Sequence, residues 1–177
     1  NTVSQSRSRF QSALASIFEI LPQYEITSNN ISSINIAGNN TLAFLTGDYV
    51  IISSDVGDYI LSNVFSSSYS AGTQSTTVNV LDDLNYTVNR VVNPYIEIIS
   101  FNSTLKQFTT SGNVSALFKK DYVFSVYGNY DIDLTNGSDI LLKVLESTYN
   151  TLTNTTTIIV DDLQDLITSP QYLNCLP

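Results

Sequence analysis

The sequence predicts a mainly β fold, two tandem small antiparallel β-barrel or sandwich modules preceded by a short N-terminal α-helix. Three observations lead there. Ser, Thr and Asn make up roughly a third of the 177 residues and charged residues only 13%, a vocabulary of strand formers and turn formers. A helical apolar stripe stands near the N-terminus, and the text after it is β throughout. That later text also repeats itself.

The helix comes first. Phe10, Leu14, Ile17, Phe18 and Leu21 recur at helical spacing, with Ser and Gln filling the opposite face, so residues 4–21 are predicted helical. Pro22 stops the helix, because proline lacks the N–H that a further turn needs. Two roles fit the stripe. It packs on the first module, or it docks on another subunit; under the second role these five residues are interface candidates.

The repeat follows. Residues 34–44 match residues 108–118, and Asp48-Tyr49-Val50 matches Asp121-Tyr122-Val123. Gly57, Ile60, Val64 and Tyr69 match Gly137, Ile140, Val144 and Tyr149. Thr76-Thr77 and Asp82-Asp83-Leu84 match Thr155-Thr156 and Asp161-Asp162-Leu163, with the register here open by one residue. Across these blocks about a third of the positions are identical, and turn and apolar positions run in phase. The offset grows from 74 to 80, so extra residues lie around Tyr127–Thr135, as a lengthened hairpin.

Prolines at Pro22, Pro94 and Pro170, each just ahead of a tyrosine, mark boundaries, since proline favours an extended chain there. The expected organisation is a helix over 1–21, one module over 22–92, a second over 93–169, and 170–177 as the start of a further segment or a tail. Four strands are predicted in each module: one before the Gly-Asn turn, Asp48–Ser53 or Asp121–Val126, a third ending at Phe65 or Leu145, and the Thr-rich run. Short strands at such spacing, separated by turn residues, indicate an antiparallel sheet curled on itself.

Within the repeat stand Gly47-Asp48-Tyr49-Val50-Ile51-Ile52, then Gly57-Asp58-Tyr59-Ile60, then Thr76-Thr77-Val78 with Asp82-Asp83-Leu84. This pattern resembles a small β-module common in structural proteins of tailed bacteriophages, over about residues 31–88 and 105–167. The second copy departs in having Lys120 before Asp121 and in its longer hairpin; the helix is not covered. The resemblance implies a virion building block of head, neck, tail or appendage. It carries no catalytic residues over.

Composition narrows the function further. The chain has no His, which removes the usual general base and metal ligand. A net charge of −9 with seven basic residues argues against nucleic acid, and no apolar run reaches the length of a membrane span. Cys175 is the one cysteine and reads as a plain tail thiol. Asp82-Asp83 and Asp161-Asp162 invite a metal or paired-carboxylate reading, yet neighbours on a strand point to opposite faces, and a turn-capping role fits better. An acidic loop of Asp131, Asp133, Asn136 and Asp139 is oxygen-rich but lacks EF-hand spacing. Seven Asn-x-Ser/Thr sequons, at Asn30, Asn39, Asn85, Asn102, Asn113, Asn136 and Asn154, are close to what this composition gives by chance.

Among the tyrosines, Tyr49/Tyr122 and Tyr69/Tyr149 sit at matched positions and read as structural, whereas Tyr127 and Tyr130, in the unmatched hairpin, are interface candidates. The expectation is a non-enzymatic structural or assembly subunit of a phage-like virion, with no catalytic residue, metal or cofactor. Its partners are other virion structural proteins and copies of itself, with no nucleic acid and no membrane, and it contacts them through the helix and exposed sheet edges. The alternative is a glycosylated filament or adhesin subunit, secreted or at the cell surface.

Overall fold

A computed structural model describes residues 2–127, 140–162, 170 and 172–176. It is mainly β: one N-terminal helix, then two six-stranded antiparallel sheets, each closed into a barrel. The chain divides into two compact units, Asn1–Pro94 and Tyr95–Pro177.

The first unit holds α1 (Thr2–Ile20) and β1 to β6: Gln23–Asn29, Ser33–Ala37, Tyr49–Ser54, Tyr59–Ser70, Ser75–Val80 and Val88–Val92. Around the barrel they run β1-β2-β5-β4-β3-β6, and β6 pairs back onto β1. The second unit holds β7 to β12: Tyr95–Asn102, Gln107–Ser111, Val123–Tyr127, Ile140–Asn150, Thr155–Asp161 and Tyr172–Asn174. Their cyclic order is the same, with β7 to β12 in the places of β1 to β6.

Alternation fills each barrel. Ile34, Ile36, Phe44, Val50, Ile52, Val64, Val78 and Val91 form the first core. At equivalent positions the second buries Phe108, Thr110, Phe118, Phe124, Val126, Val144, Ile158 and Leu173. The second core is more aromatic: the Phe124 ring meets Phe118 edge-on at 5.2 Å and Phe108 at 6.2 Å.

Each copy also repeats a buried polar corner. The Thr76 hydroxyl donates to Gly38 O and accepts from the Asn40 N–H, at 2.7 and 2.8 Å. The Thr156 hydroxyl donates to Gly112 O and accepts from the Val114 N–H, at 2.7 and 3.0 Å. Both threonines are fully buried, so their hydroxyls satisfy backbone groups that would otherwise be buried unpaired.

The pairing registers correct the sequence alignment in two places. Tyr49 faces Asn63 and Val123 faces Lys143, so Tyr49 corresponds to Val123, and Asp121-Tyr122 corresponds to Gly47-Asp48. Backbone conformation explains the slip. Gly47 has φ +90°, and Asp121, with φ +72°, occupies the same left-handed corner, which aspartate tolerates better than most side chains. The literal Asp-Tyr-Val match was therefore one residue out, and the apparent Lys120 departure disappears. In the last block Tyr69 pairs with Thr76 and Tyr149 with Thr156, so Thr76 corresponds to Thr156 and Asp82 to Asp162.

Three further expectations change. Each module has six strands instead of four, because two strands precede the Gly-Asn turn and a final strand follows the Thr-rich run and closes the sheet. The third predicted strand continues past Phe65 and Leu145 to Ser70 and Asn150, since both residues sit at β-bulges that twist a strand without ending it. Within the stretch 170–177, expected to be a further segment or a tail, β12 pairs with β7 and β9 and closes the second barrel. Pro170 thus precedes a sixth strand, whereas Pro22 and Pro94 precede first strands.

Candidate functional site

Closed barrels leave no unpaired edge strand along their circuit, so the expected contact through sheet edges is corrected. What the barrels offer is their outer side chains.

The helix stripe is committed to the first unit. Leu14, Ile17, Phe18 and Leu21 are buried, and only Phe10, at 40% exposure, faces outward. The docking role is corrected accordingly. Two hydrogen bonds fix the helix to the start of β4: Gln11 Nε2 donates to Tyr59 O at 2.6 Å, and the Tyr59 N–H donates to Gln11 Oε1 at 2.8 Å. The Phe18 and Tyr59 rings lie 5.3 Å apart. Tyr59 shares the outer face with Ile51, Leu61 and Val92, because Val50, Ile52 and Val91 point into the core. Ile51 and Val92 are nonetheless fully buried. The helix packs on this outer face at β4, through Gln11 and Phe18 to Tyr59.

At the C-terminal end of α1 lies an open cleft of about 620 Å³, lined by Phe18, Gln23, Ser53, Tyr59, Asn89 and Arg90. Its polar groups are held in place. Gln23 Nε2 donates to Phe18 O at 2.9 Å, Asn89 Nδ2 to Ser54 O at 3.2 Å, and the Arg90 guanidinium lies 3.4 Å from Glu25. Ser53 and Arg90 face each other across β3 and β6, where the Arg90 N–H donates to Ser53 Oγ at 3.1 Å. Sequence reading missed this cleft because its side chains come from five elements with no local pattern.

Among the remaining expected positions, Tyr127 lies opposite Tyr172 in strand register, while Tyr130 and the acidic loop at 131–139 fall outside the described residues. Asp82, Asp83 and Asp161 are exposed and Asp162 is buried; among the described residues no three His, Cys, Asp or Glu side chains gather to hold a metal. No helix among them is long and apolar enough to cross a membrane.

Cys175 is buried beside the closing strand, and burial pushes its thiol up to about 12, the reverse of an activated nucleophile. Burial also raises the Asp48 carboxyl above its ordinary value, against a backbone hydrogen bond at Leu45 that lowers it. Six sequon asparagines are described and all are exposed. Four serve turns: the Oδ1 atoms of Asn30, Asn39, Asn102 and Asn113 each accept the backbone N–H two residues on.

Several large apolar residues stand exposed at equivalent places in both barrels. Ile31 pairs with Leu105, Phe65 with Leu145 at the bulges, and Tyr49 with Val123. No family model, curated protein or solved structure matches this chain.

Proposed function

We propose that the chain is a non-enzymatic structural subunit of a phage-like virion, acting through protein–protein contacts made by the outer faces of its two barrels. The observation that carries this reading is the recurrence of exposed apolar residues at matched positions, Ile31/Leu105, Phe65/Leu145 and Tyr49/Val123. Apolar side chains scattered singly over a surface need no explanation. Their return at the same places in two copies is what a contact surface kept through duplication looks like. The resemblance of the repeat to phage structural modules points the same way, and its motif residues serve turns and core rather than chemistry.

Sedimentation of the purified chain tests the role. Wild type is expected to associate with itself as concentration rises, or to bind particle proteins. Phe65→Ser combined with Leu145→Ser is expected to abolish that association without lowering Tm. A wild-type chain that stays monomeric at high concentration and binds no particle protein would remove the assembly role.

A second reading, a glycosylated filament or adhesin subunit, is favoured by the exposure of every described sequon asparagine. It requires a natural-source intact mass above that of the polypeptide.

A further inference from the structure

We infer that the cleft beside α1 is a binding subsite for a neutral saccharide. This goes beyond the assembly role and does not rest on it.

The cleft combines two features such a ligand needs. Tyr59, partly exposed, brings aromatic surface to its wall; it packs against the buried Phe18 and is fixed through both backbone bonds to Gln11. A pyranose ring has an apolar C–H face that packs on such a surface. Around it stand the amides of Gln23 and Asn89, the Arg90 guanidinium and the Ser53 hydroxyl. Planar amides and guanidinium groups bind vicinal hydroxyls through paired hydrogen bonds. Each is also tethered by its own contact, so little side-chain freedom is lost on binding.

Charge selects neutral sugars over anionic ones. The one cation in the wall, Arg90, is paired with Glu25, and the whole chain carries −9, so a phosphorylated or acidic ligand meets no unbalanced positive charge.

The duplication supplies a control inside the molecule. At the places of Gln23, Ser53 and Arg90 the second barrel has Tyr95, Tyr127 and Tyr172, as the strand registers show. Among its described residues there is also no helix to form a second wall. Gln23, Ser53 and Arg90 are therefore not requirements of the fold.

The test is titration of the intact chain with soluble neutral oligosaccharides of glucose, galactose, mannose and N-acetylglucosamine, followed by NMR or calorimetry. At least one is expected to bind saturably, with a dissociation constant near ~1 mM. Arg90→Tyr and Ser53→Tyr, which place the second barrel's residues in the cleft, are expected to weaken binding at least about tenfold with Tm unchanged. Asn89→Ala, on an exposed side chain, is expected to do the same should either variant fold poorly. Leu141→Ser, on the second barrel, is expected to leave binding untouched. Failure of every sugar to bind, binding that survives these variants, or preference for acidic sugars or peptides would each overturn the inference.

Discussion

The two barrels share their strand order and their buried threonine corner, and they differ most on one outer face. In the first unit α1 packs on the outer face at β4, and residues of that face are apolar: Ile51 and Val92 are fully buried, and Leu61 lies beside them. In the second unit the same three positions hold Ser125, Asn174 and Leu141. Ser125 and Asn174 suit contact with water, while Leu141 stays apolar at 70% exposure. Duplication kept the inside of the barrel and let the outside follow its surroundings. Packing constrains the one, and whatever covers it decides the other.

The largest expected effect tests that contrast. Ile51→Ser, which writes the second barrel's residue into the first, is expected to cost about 3–5 kcal/mol, because it leaves a cavity and buries a hydroxyl under the helix. Ser125→Ile is expected to change stability by less than about 1 kcal/mol. Denaturant melts of both variants measure this, and equal costs would break the comparison.

Closure by β12 comes next. Leu173 is fully buried on a strand of three residues, and Leu173→Ala is expected to cost about 2–5 kcal/mol. The Cys175 thiol reports it. Native wild type is expected to label slowly with a thiol reagent, since burial holds the thiol protonated, and the variant is expected to label faster.

The shared corner is expected to respond alike in both units. Thr76→Val and Thr156→Val each strand a backbone N–H and should each cost about 1–3 kcal/mol in thermal melts. A clear difference between them would show that the two corners are not equivalent.

The smallest effect is a pH dependence confined to the first barrel. Burial raises the Asp48 carboxyl in the folded chain, so folding favours its protonated form. Its contribution is present below the ordinary carboxylate value and is lost as pH rises through the raised one. Asp48→Asn is expected to stabilise the protein at neutral pH, with the gain shrinking toward pH ~3. The corresponding Tyr122 is exposed, and Tyr122→Asn is expected to show no such trend across carboxylate pH.

The fold class, the duplication and the helix stripe were legible in the sequence because each rests on local periodicity or on repeated turn residues. The Asp48/Tyr122 correspondence was not, since letter identity favoured Asp48 with Asp121 while the backbone required a left-handed residue at Gly47 and Asp121. β12 was hidden for a different reason. Tyr172-Leu173-Asn174 is too short to show alternation, and only its long-range pairing with β7 and β9 makes it a strand. The cleft was invisible because Phe18, Ser53 and Asn89 converge only once the barrel has closed.

Hydrogen exchange on the intact chain, compared with a chain lacking residues 1–20, tests the division between the units most directly. Loss of the helix is expected to remove protection from amides of β3, β4 and β6 and to leave β9, β10 and β12 unchanged. Equal loss in both barrels, or no loss in the first, would contradict the assignment of α1 to the outer face of the first barrel.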